Sequence, residues 1–106
     1  MNTLPPRHPL EQALKTYQHI RVVKTLAEHG KPATKYALAK FTGLSLQRLD
    51  KILRELITQR WVNKHSTTPP KYSLNKDNQM LGKFLTFLSE ANYLTMGEWV
   101  ENRGIG

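Results

Sequence analysis

Four long polar side chains, those of Gln47, Arg48, Lys51 and Arg54, lie close together near the middle of the chain. A Gln amide pairs bidentately with adenine and an Arg guanidinium with guanine O6 and N7, so these residue types suit the reading of base edges. A Lys ammonium acts as a point charge and suits a phosphate. The pattern predicts base contacts by Gln47 and Arg48, with Lys51 and Arg54 as base or phosphate contacts. An ordinary solvated helix face is the alternative interpretation.

The positive charge of the 106-residue chain is concentrated around these side chains. Residues 31–76 hold ten Lys and Arg against two acidic residues, a net charge of +8. Residues 1–30 carry +2 and residues 77–106 carry −2, so the central segment accounts for the whole excess. A polyanion is the simplest partner for charge distributed in this way, although a merely solvated basic surface is the alternative.

A helix is required to present the four polar side chains together. The apolar residues of this segment recur at helical spacing and form one stripe, consisting of Leu49, Ile52, Leu53, Leu56 and Ile57. This spacing predicts a helix from Leu46 to Gln59, with Ser45 as its N-cap and the polar residues outward.

A shorter helix is predicted immediately before it. Thr34 offers an N-cap hydroxyl to a helix over Lys35–Phe41, and Gly43 permits the sharp reversal that follows. The apolar face of this helix is predicted to consist of Ala37, Leu38 and Phe41. Free backbone N–H groups at a helix start favour an anion, so Thr34, Lys35, Tyr36 and Ser45 are candidate phosphate contacts. Capping of the two helices is at least part of what Thr34 and Ser45 do.

The sequence of the N-terminal third predicts an arm followed by a helix longer than the one that starts at Lys35. Three prolines in residues 1–9 deny the backbone donors that a helix needs, which indicates a flexible or extended arm. From Leu10 to His29 apolar residues recur at three- and four-residue steps, which is typical of an amphipathic helix. Gly30 is suited to the C-cap, and Pro32 prevents continuation.

Two short extended segments follow the central helix. Residues 61–66 and 71–75 alternate approximately between apolar and polar residues and surround the connector Thr67–Pro70, which predicts a hairpin with a stiff tip. The candidate anion contacts in this hairpin flank the tip and are Lys64, His65 and Lys71. Lysines on an exposed hairpin also protect an edge strand against aggregation, which is the alternative.

The C-terminal segment is more apolar than the rest. Residues 80–88 predict a helix with a wide apolar face, and Thr95–Glu98 fits a capping box that opens a last short helix. An apolar patch of this size indicates a partner, and a two-fold interface between two copies is predicted. Its predicted members are Leu10, Leu14, Tyr17, Met80, Leu81, Phe84, Leu85, Phe87 and Leu88. Folding back of these helices to complete the monomer core is the alternative.

The segment KYALAKFTGLSLQRLDKILRELITQRWVNKHSTTPPKYSLN resembles the winged helix-turn-helix superfamily. The resemblance covers roughly residues 16–75. Three features carry it: the Leu44–Ser45 step before the central helix, the leucines at the buried positions of that helix, and the pair Trp61–Val62 that opens the hairpin. The resemblance implies a mainly α fold with a small β-hairpin, flanked by N- and C-terminal helices. The domain is expected at residues 10–76, followed by C-terminal helices at 77–106.

The resemblance also implies a function. Small prokaryotic, phage or plasmid regulators of this type bind double-stranded DNA as homodimers, with the recognition helix in the major groove and the wing on the backbone or minor groove. The expectation is therefore a homodimeric, sequence-specific transcriptional regulator, located in the cytoplasm with the DNA. The alternative is a winged-helix interaction module in a replication, partition or conjugation complex.

Several other classes of function find no support in the sequence. The chain has no cysteine, and its four histidines have no metal-ligand spacing. It contains no Gly-rich phosphate loop, HExxH or GxSxG motif, so an enzyme is not expected and no metal or other cofactor is predicted. No apolar run approaches the ~20 residues of a membrane-spanning helix. No small-molecule effector can be identified.

Acidic and aromatic residues give further expectations. Asp50 is expected to pair with Arg54, and Glu55 with Lys51, because these residues lie four positions apart on one helix. The aromatic residues have the spacing of a winged-helix core rather than of a platform for single-stranded bases, with Tyr36 as the possible exception. The expected core aromatics are Phe41, Trp61 and Tyr72.

Overall fold

The computed structural model describes residues 13–93, which form four helices and a small antiparallel sheet. The helices are α1 (Tyr17–His29), α2 (Lys35–Thr42), α3 (Leu46–Thr58) and α4 (Gln79–Glu90). The strands are β1 (Ala33–Thr34), β2 (Val62–His65) and β3 (Lys71–Leu74). The predicted order of three helices, a hairpin and a C-terminal helix is therefore confirmed within this range, and the predicted helix at Thr95 lies outside it.

Side-chain caps set the starts of α2 and α3, as predicted. The Thr34 hydroxyl accepts a hydrogen bond from the Ala37 N–H at 3.1 Å, and the Ser45 hydroxyl accepts one from the Arg48 N–H at 3.1 Å. Gly43 ends α2 with φ +78°, in the left-handed region that glycine adopts without strain. The chain can therefore reverse between the two helices within three residues.

Within the described residues, the helix predicted over Leu10–His29 is not continuous. Thr16 interrupts it, because its hydroxyl accepts hydrogen bonds from the N–H groups of Gln18 and His19 and so caps a helix that begins at Tyr17. Ala13 and Leu14 precede this cap and still pack on the core. Their apolar spacing continues across the bend, which is why the sequence pattern predicts a single helix from Leu10.

The sheet has a third strand that the sequence pattern does not indicate. β1 pairs with β3, which pairs in turn with β2, so the strand order is β1-β3-β2. The registers place Ala33 opposite Tyr72 and Thr34 opposite Lys71. A strand of two residues is too short for any alternation to show, but it ties the hairpin to the start of α2.

The core is one cluster of buried side chains contributed by the four helices and the hairpin. The buried stripe of α3 matches the predicted one except for Ile57, which is half-buried at its edge. Trp61 is buried at the start of the hairpin, and its ring lies 5.8 Å from that of Phe84 in α4. The carbonyl of Arg60, which has φ +64°, accepts hydrogen bonds from the side-chain amides of Asn75 and Asn78. The turn out of α3 is therefore fixed to the residue that follows β3 and to the N-cap of α4.

The predicted interface residues differ in how far the monomer buries them. Leu81, Leu85 and Leu88 are buried in the monomer core, so they are not available to a partner while α4 is packed as described. The alternative, completion of the core, holds for these three leucines. Phe87 is 62% exposed, and Tyr17 at the start of α1 is 66% exposed.

Three of the remaining members of that set are intermediate. Leu14, Met80 and Phe84 are partly buried against the core, and Leu10 lies outside the described residues.

Phe41 was expected in the core, but its side chain is 57% exposed. The short helix α2 turns Leu38 and Thr42, one turn apart, toward the core, and Phe41 lies at the edge of this stripe with its ring 5.7 Å from that of His29.

Candidate nucleic-acid interface

The exposed face of α3 carries all four polar side chains singled out in the sequence. Gln47, Arg48, Lys51 and Arg54 are each exposed. Because an α-helix has about 3.6 residues per turn, positions 47, 51 and 54 lie along one line opposite the buried stripe, and Arg48 lies at its side. The structure therefore brings these side chains together on a rigid rod with its apolar side in the core.

The starts of α2 and α3 contribute backbone N–H groups. Thr34 and Ser45 act as N-caps, and the remaining free N–H groups of each first turn point outward from the helix end. Neither first turn contains an acidic residue. Tyr36, in the first turn of α2, is 62% exposed, so the possible exception among the aromatic residues lies outside the core.

Asp50 connects α3 with its surroundings. Its Oδ1 accepts a hydrogen bond from Lys35 Nζ at 3.1 Å, and its Oδ2 lies 3.4 Å from the terminal guanidinium nitrogen of Arg54. The pair with Arg54 agrees with the prediction, whereas the pair with Lys35 joins residues fifteen positions apart and has no local signal. The hydrogen bond and charge of Lys35 lower the pKa of Asp50 below its usual value, and the charges of Arg54 and Lys64 act in the same direction.

The hairpin places its polar side chains in register with the start of α2. Lys71 lies opposite Thr34 on one side and opposite His65 on the other. His65 Nε2 lies 2.7 Å from the Ser73 hydroxyl, so this ring is held across the two strands. Lys64 and Lys71 are exposed. All three predicted hairpin contacts therefore lie on the same small sheet as the α2 cap.

Glu55 has different partners from those expected. It does not pair with Lys51; its carboxylate lies 2.9 Å from Lys15 Nζ and 2.6 Å from Nε2 of the buried His19. Burial raises the pKa of Glu55, but the hydrogen bonds from His19 and Lys15 outweigh this effect and hold the pKa below its usual value. Glu55 therefore fixes α3 to the start of α1 and leaves Lys51 to the outer face.

Two features of α1 had no sequence signal. Thr16 Oγ1 lies 2.9 Å from His19 Nδ1, so both ring nitrogens of this histidine have partners. An open surface cavity of about 610 Å³ lies along α1, with Lys24, His29, Phe41 and Tyr93 among its lining residues. Residues that are far apart in the sequence line this cavity, so no sequence motif predicts it.

Residues 13–93 offer neither a metal-binding cluster nor a membrane-spanning helix. This part of the chain holds no group of three or more His, Asp or Glu side chains that could bind a metal ion. None of its helices is long and apolar enough to cross a membrane.

Together these elements define the class of the protein. A tight glycine turn joins α2 to α3, and α3 has an exposed polar face. A hairpin follows and pairs with β1, the strand before α2. This arrangement is the winged helix-turn-helix fold. This confirms the fold predicted from the sequence; from here α3 and residues 62–74 are given the names usual for their positions in this fold, the recognition helix and the wing.

Solved structures share this fold at low sequence identity. One is NolR from Sinorhizobium fredii, with a TM-score of 0.68 and 22% identity over 90% of this chain and 100% of the other. Another is the homodimeric winged helix-turn-helix DNA-binding domain Mb0332 (fragment 1–100) from Mycobacterium bovis, described as a possible ArsR-family transcriptional regulator. It has a TM-score of 0.64 and 15% identity over 79% of this chain and 75% of the other. Neither a protein-family model nor a curated protein matches the sequence.

Proposed function

We propose that the protein is a sequence-specific, double-stranded-DNA-binding transcriptional regulator that acts as a homodimer. One observation carries the proposal: cationic side chains from three separate elements converge on one surface. Lys35 of α2 and Arg54 of the recognition helix both contact Asp50, and Lys64 of the wing lies close enough to influence the same carboxylate. Convergence of this kind suits the closely spaced phosphates of a duplex.

The elements would divide the work of binding. The recognition helix enters the major groove, where Gln47 and Arg48 read base edges. The first turn of α2, with Thr34, Lys35 and Tyr36, and the start of the recognition helix at Ser45 hold phosphates, which fixes the register of the protein on the duplex. Lys51 and Arg54 add contacts to bases or phosphates.

The wing would contact the duplex beside the groove. Lys64 and Lys71 are exposed on neighbouring strands, and His65 lies between Lys71 and Ser73. Such contacts to phosphate and sugar add affinity that does not depend on sequence. A wing held in the sheet through β1 can make them with little loss of conformational freedom on binding.

Dimerisation would use the apolar side chains that the monomer leaves exposed. Phe87 on α4 and Tyr17 on α1 are 62% and 66% exposed, while Met80 and Phe84 are partly covered. The Mycobacterium bovis domain with the same fold is homodimeric. A two-fold dimer would place two recognition helices about 34 Å apart and so predicts a palindromic site.

Selection of bound duplexes from a random pool tests the proposal, with the solution mass of the protein measured alongside. We expect one palindromic sequence to be enriched, bound about 10³-fold or more tightly than random DNA, with affinity that falls steeply as salt rises. Binding without preference for any duplex, or binding insensitive to salt, would contradict it. That result would favour an interaction module in a larger complex.

A further inference from the structure

Asp50 lies among the cationic side chains of the proposed interface, but the proposed function assigns it no contact with DNA. On the recognition helix it lies one turn after Gln47 and one turn before Arg54, so it borders the residues that would enter the groove. Its carboxylate contacts Lys35 at 3.1 Å and Arg54 at 3.4 Å, and its side chain is 46% exposed. It is therefore fixed to the protein on one side and open to a ligand on the other.

A carboxylate in this position opposes contact with any phosphate. It repels the phosphate directly, and it also occupies the ammonium of Lys35 and the guanidinium of Arg54, which would otherwise bind it. Binding to unrelated DNA depends almost entirely on such phosphate contacts. Asp50 therefore weakens binding to every duplex unless a hydrogen-bond donor of the DNA compensates its negative charge.

A base edge can supply that compensation. The N4 amine of cytosine donates in the major groove, and Asp is a natural acceptor for it. In a complex with the right sequence, the carboxylate would exchange part of its contact with Lys35 and Arg54 for this amine, and the two cations would become free to bind phosphates. A duplex with the wrong base offers no donor and leaves the cations on Asp50.

We infer that Asp50 is a specificity-determining residue, which weakens binding to unrelated duplexes by retaining Lys35 and Arg54 and is compensated by a base amine at the selected site. This inference rests on the proposed function, because it requires a preferred duplex. The inference goes beyond the proposed function because it assigns the discrimination between duplexes to an acidic residue of the interface, rather than to added attraction for one sequence.

The variant Asp50→Asn, compared with Asp77→Asn, tests the inference. Both substitutions change the net charge by the same amount, but Asp77 is exposed in the turn before α4, outside the interface. Binding is measured to the selected duplex and to an unrelated duplex of the same length. We expect Asp50→Asn to bind the unrelated duplex about tenfold more tightly, the lower end of what a hydrogen bond between charged groups contributes. Affinity for the selected duplex should change by less than about threefold, so the ratio of the two affinities falls.

The salt dependence provides a second measurement. Release of Lys35 and Arg54 from Asp50 should steepen the slope of log affinity against log salt for the unrelated duplex by about one to two units in Asp50→Asn. The Asp77→Asn variant should leave both the slope and the ratio close to those of the wild type. Asp50→Glu, which keeps the charge, should bind the unrelated duplex within about threefold of the wild type.

Several outcomes would overturn the inference. The ratio of affinities could stay unchanged in Asp50→Asn, or fall equally in Asp77→Asn, or fall equally in Asp50→Glu, and each would show that the charge at this position does not discriminate. Asp50→Ser serves as the neutral variant if Asp50→Asn melts below the assay temperature. Failure of the wild type to select any duplex would overturn the proposed function as well, whereas selection with an unchanged ratio in Asp50→Asn overturns this inference alone.

Discussion

Individual side chains of the proposed interface differ in which part of a duplex they would contact. Arg48 is exposed, and its guanidinium has the forked geometry that matches guanine O6 and N7. Lys64 is also exposed, but it lies on the wing and carries a point charge that suits any phosphate. Two residues of the same charge should therefore affect binding in different ways.

Substitution of these two residues by alanine is expected to separate base reading from phosphate binding. Arg48→Ala should cost about 1–3 kcal/mol at the selected site and relax the preference at one base position, because a bidentate contact is lost. Lys64→Ala should weaken binding to all duplexes alike and reduce the salt slope by about one. Affinities measured on a panel of singly substituted duplexes decide the matter. Identical profiles for the two variants would contradict the assigned contacts.

At the scale of the elements, Glu55 connects the recognition helix with the start of α1. Its contacts with Lys15 and with the buried His19 span forty and thirty-six positions of the sequence. The helix that would enter the groove is thus fixed to the start of α1 by the hydrogen bonds of a charged carboxylate as well as by its buried apolar stripe. The position of the exposed face depends on both.

The variant Glu55→Gln should lower the thermal stability at neutral pH by roughly 5 °C, equivalent to about 1 kcal/mol in a domain of this size. The pKa of Glu55 lies below its usual value of 4.5, so the stabilisation is present above that pH and is lost as pH falls through the lowered pKa. The difference in melting temperature between variant and wild type should therefore shrink as pH falls below about 4.5.

Glu28→Gln is the matched control for this measurement. Glu28 is similarly exposed, but its ion pair with Lys24 lies within a single helix, where such pairs contribute only about 0.3–0.5 kcal/mol. We expect a smaller loss of stability than for Glu55→Gln. Equal losses in the two variants would contradict the larger contribution assigned to the contact between α1 and α3.

The sequence predicts those elements whose signals are local. The caps at Thr34 and Ser45, the turn at Gly43 and the stripe of α3 all depend on residues a few positions apart, and each appears in the structure. The pairing of β1 with β3 and the Lys35–Asp50 contact join distant segments, so no periodicity indicates them. The interruption at Thr16 is local, yet the apolar spacing that continues across it conceals it.

At the scale of the whole molecule, α4 has two faces with different consequences. Leu85 is buried in the core of the monomer, and Phe87, two residues later, is 62% exposed. The apolar composition of this helix alone cannot distinguish a core from an interface, because both bury the same side chains. The fold distinguishes them by showing which positions the monomer has already covered.

Alanine substitutions at these two positions are expected to separate folding from assembly. Leu85→Ala should destabilise the protein by about 2–5 kcal/mol, because it leaves a cavity in the core. Phe87→Ala should leave the melting temperature of the monomer nearly unchanged and shift the solution mass toward the monomer at low concentration. Denaturation curves and solution mass measured on both variants test this, and a dimer equally stable in Phe87→Ala would exclude this residue from the interface.

The two-residue strand β1 has a mechanical consequence. Thr34 both caps α2 and pairs with Lys71, so the wing and the first turn of α2 share one backbone attachment. A two-stranded hairpin alone is marginally stable in water and would pivot; here the third strand holds it at a set offset from the recognition helix. A duplex bound as proposed must bring its groove and its adjacent phosphates to that spacing by bending or by adjusting groove width. Sequences that deform easily would then be preferred even at base pairs that no side chain touches.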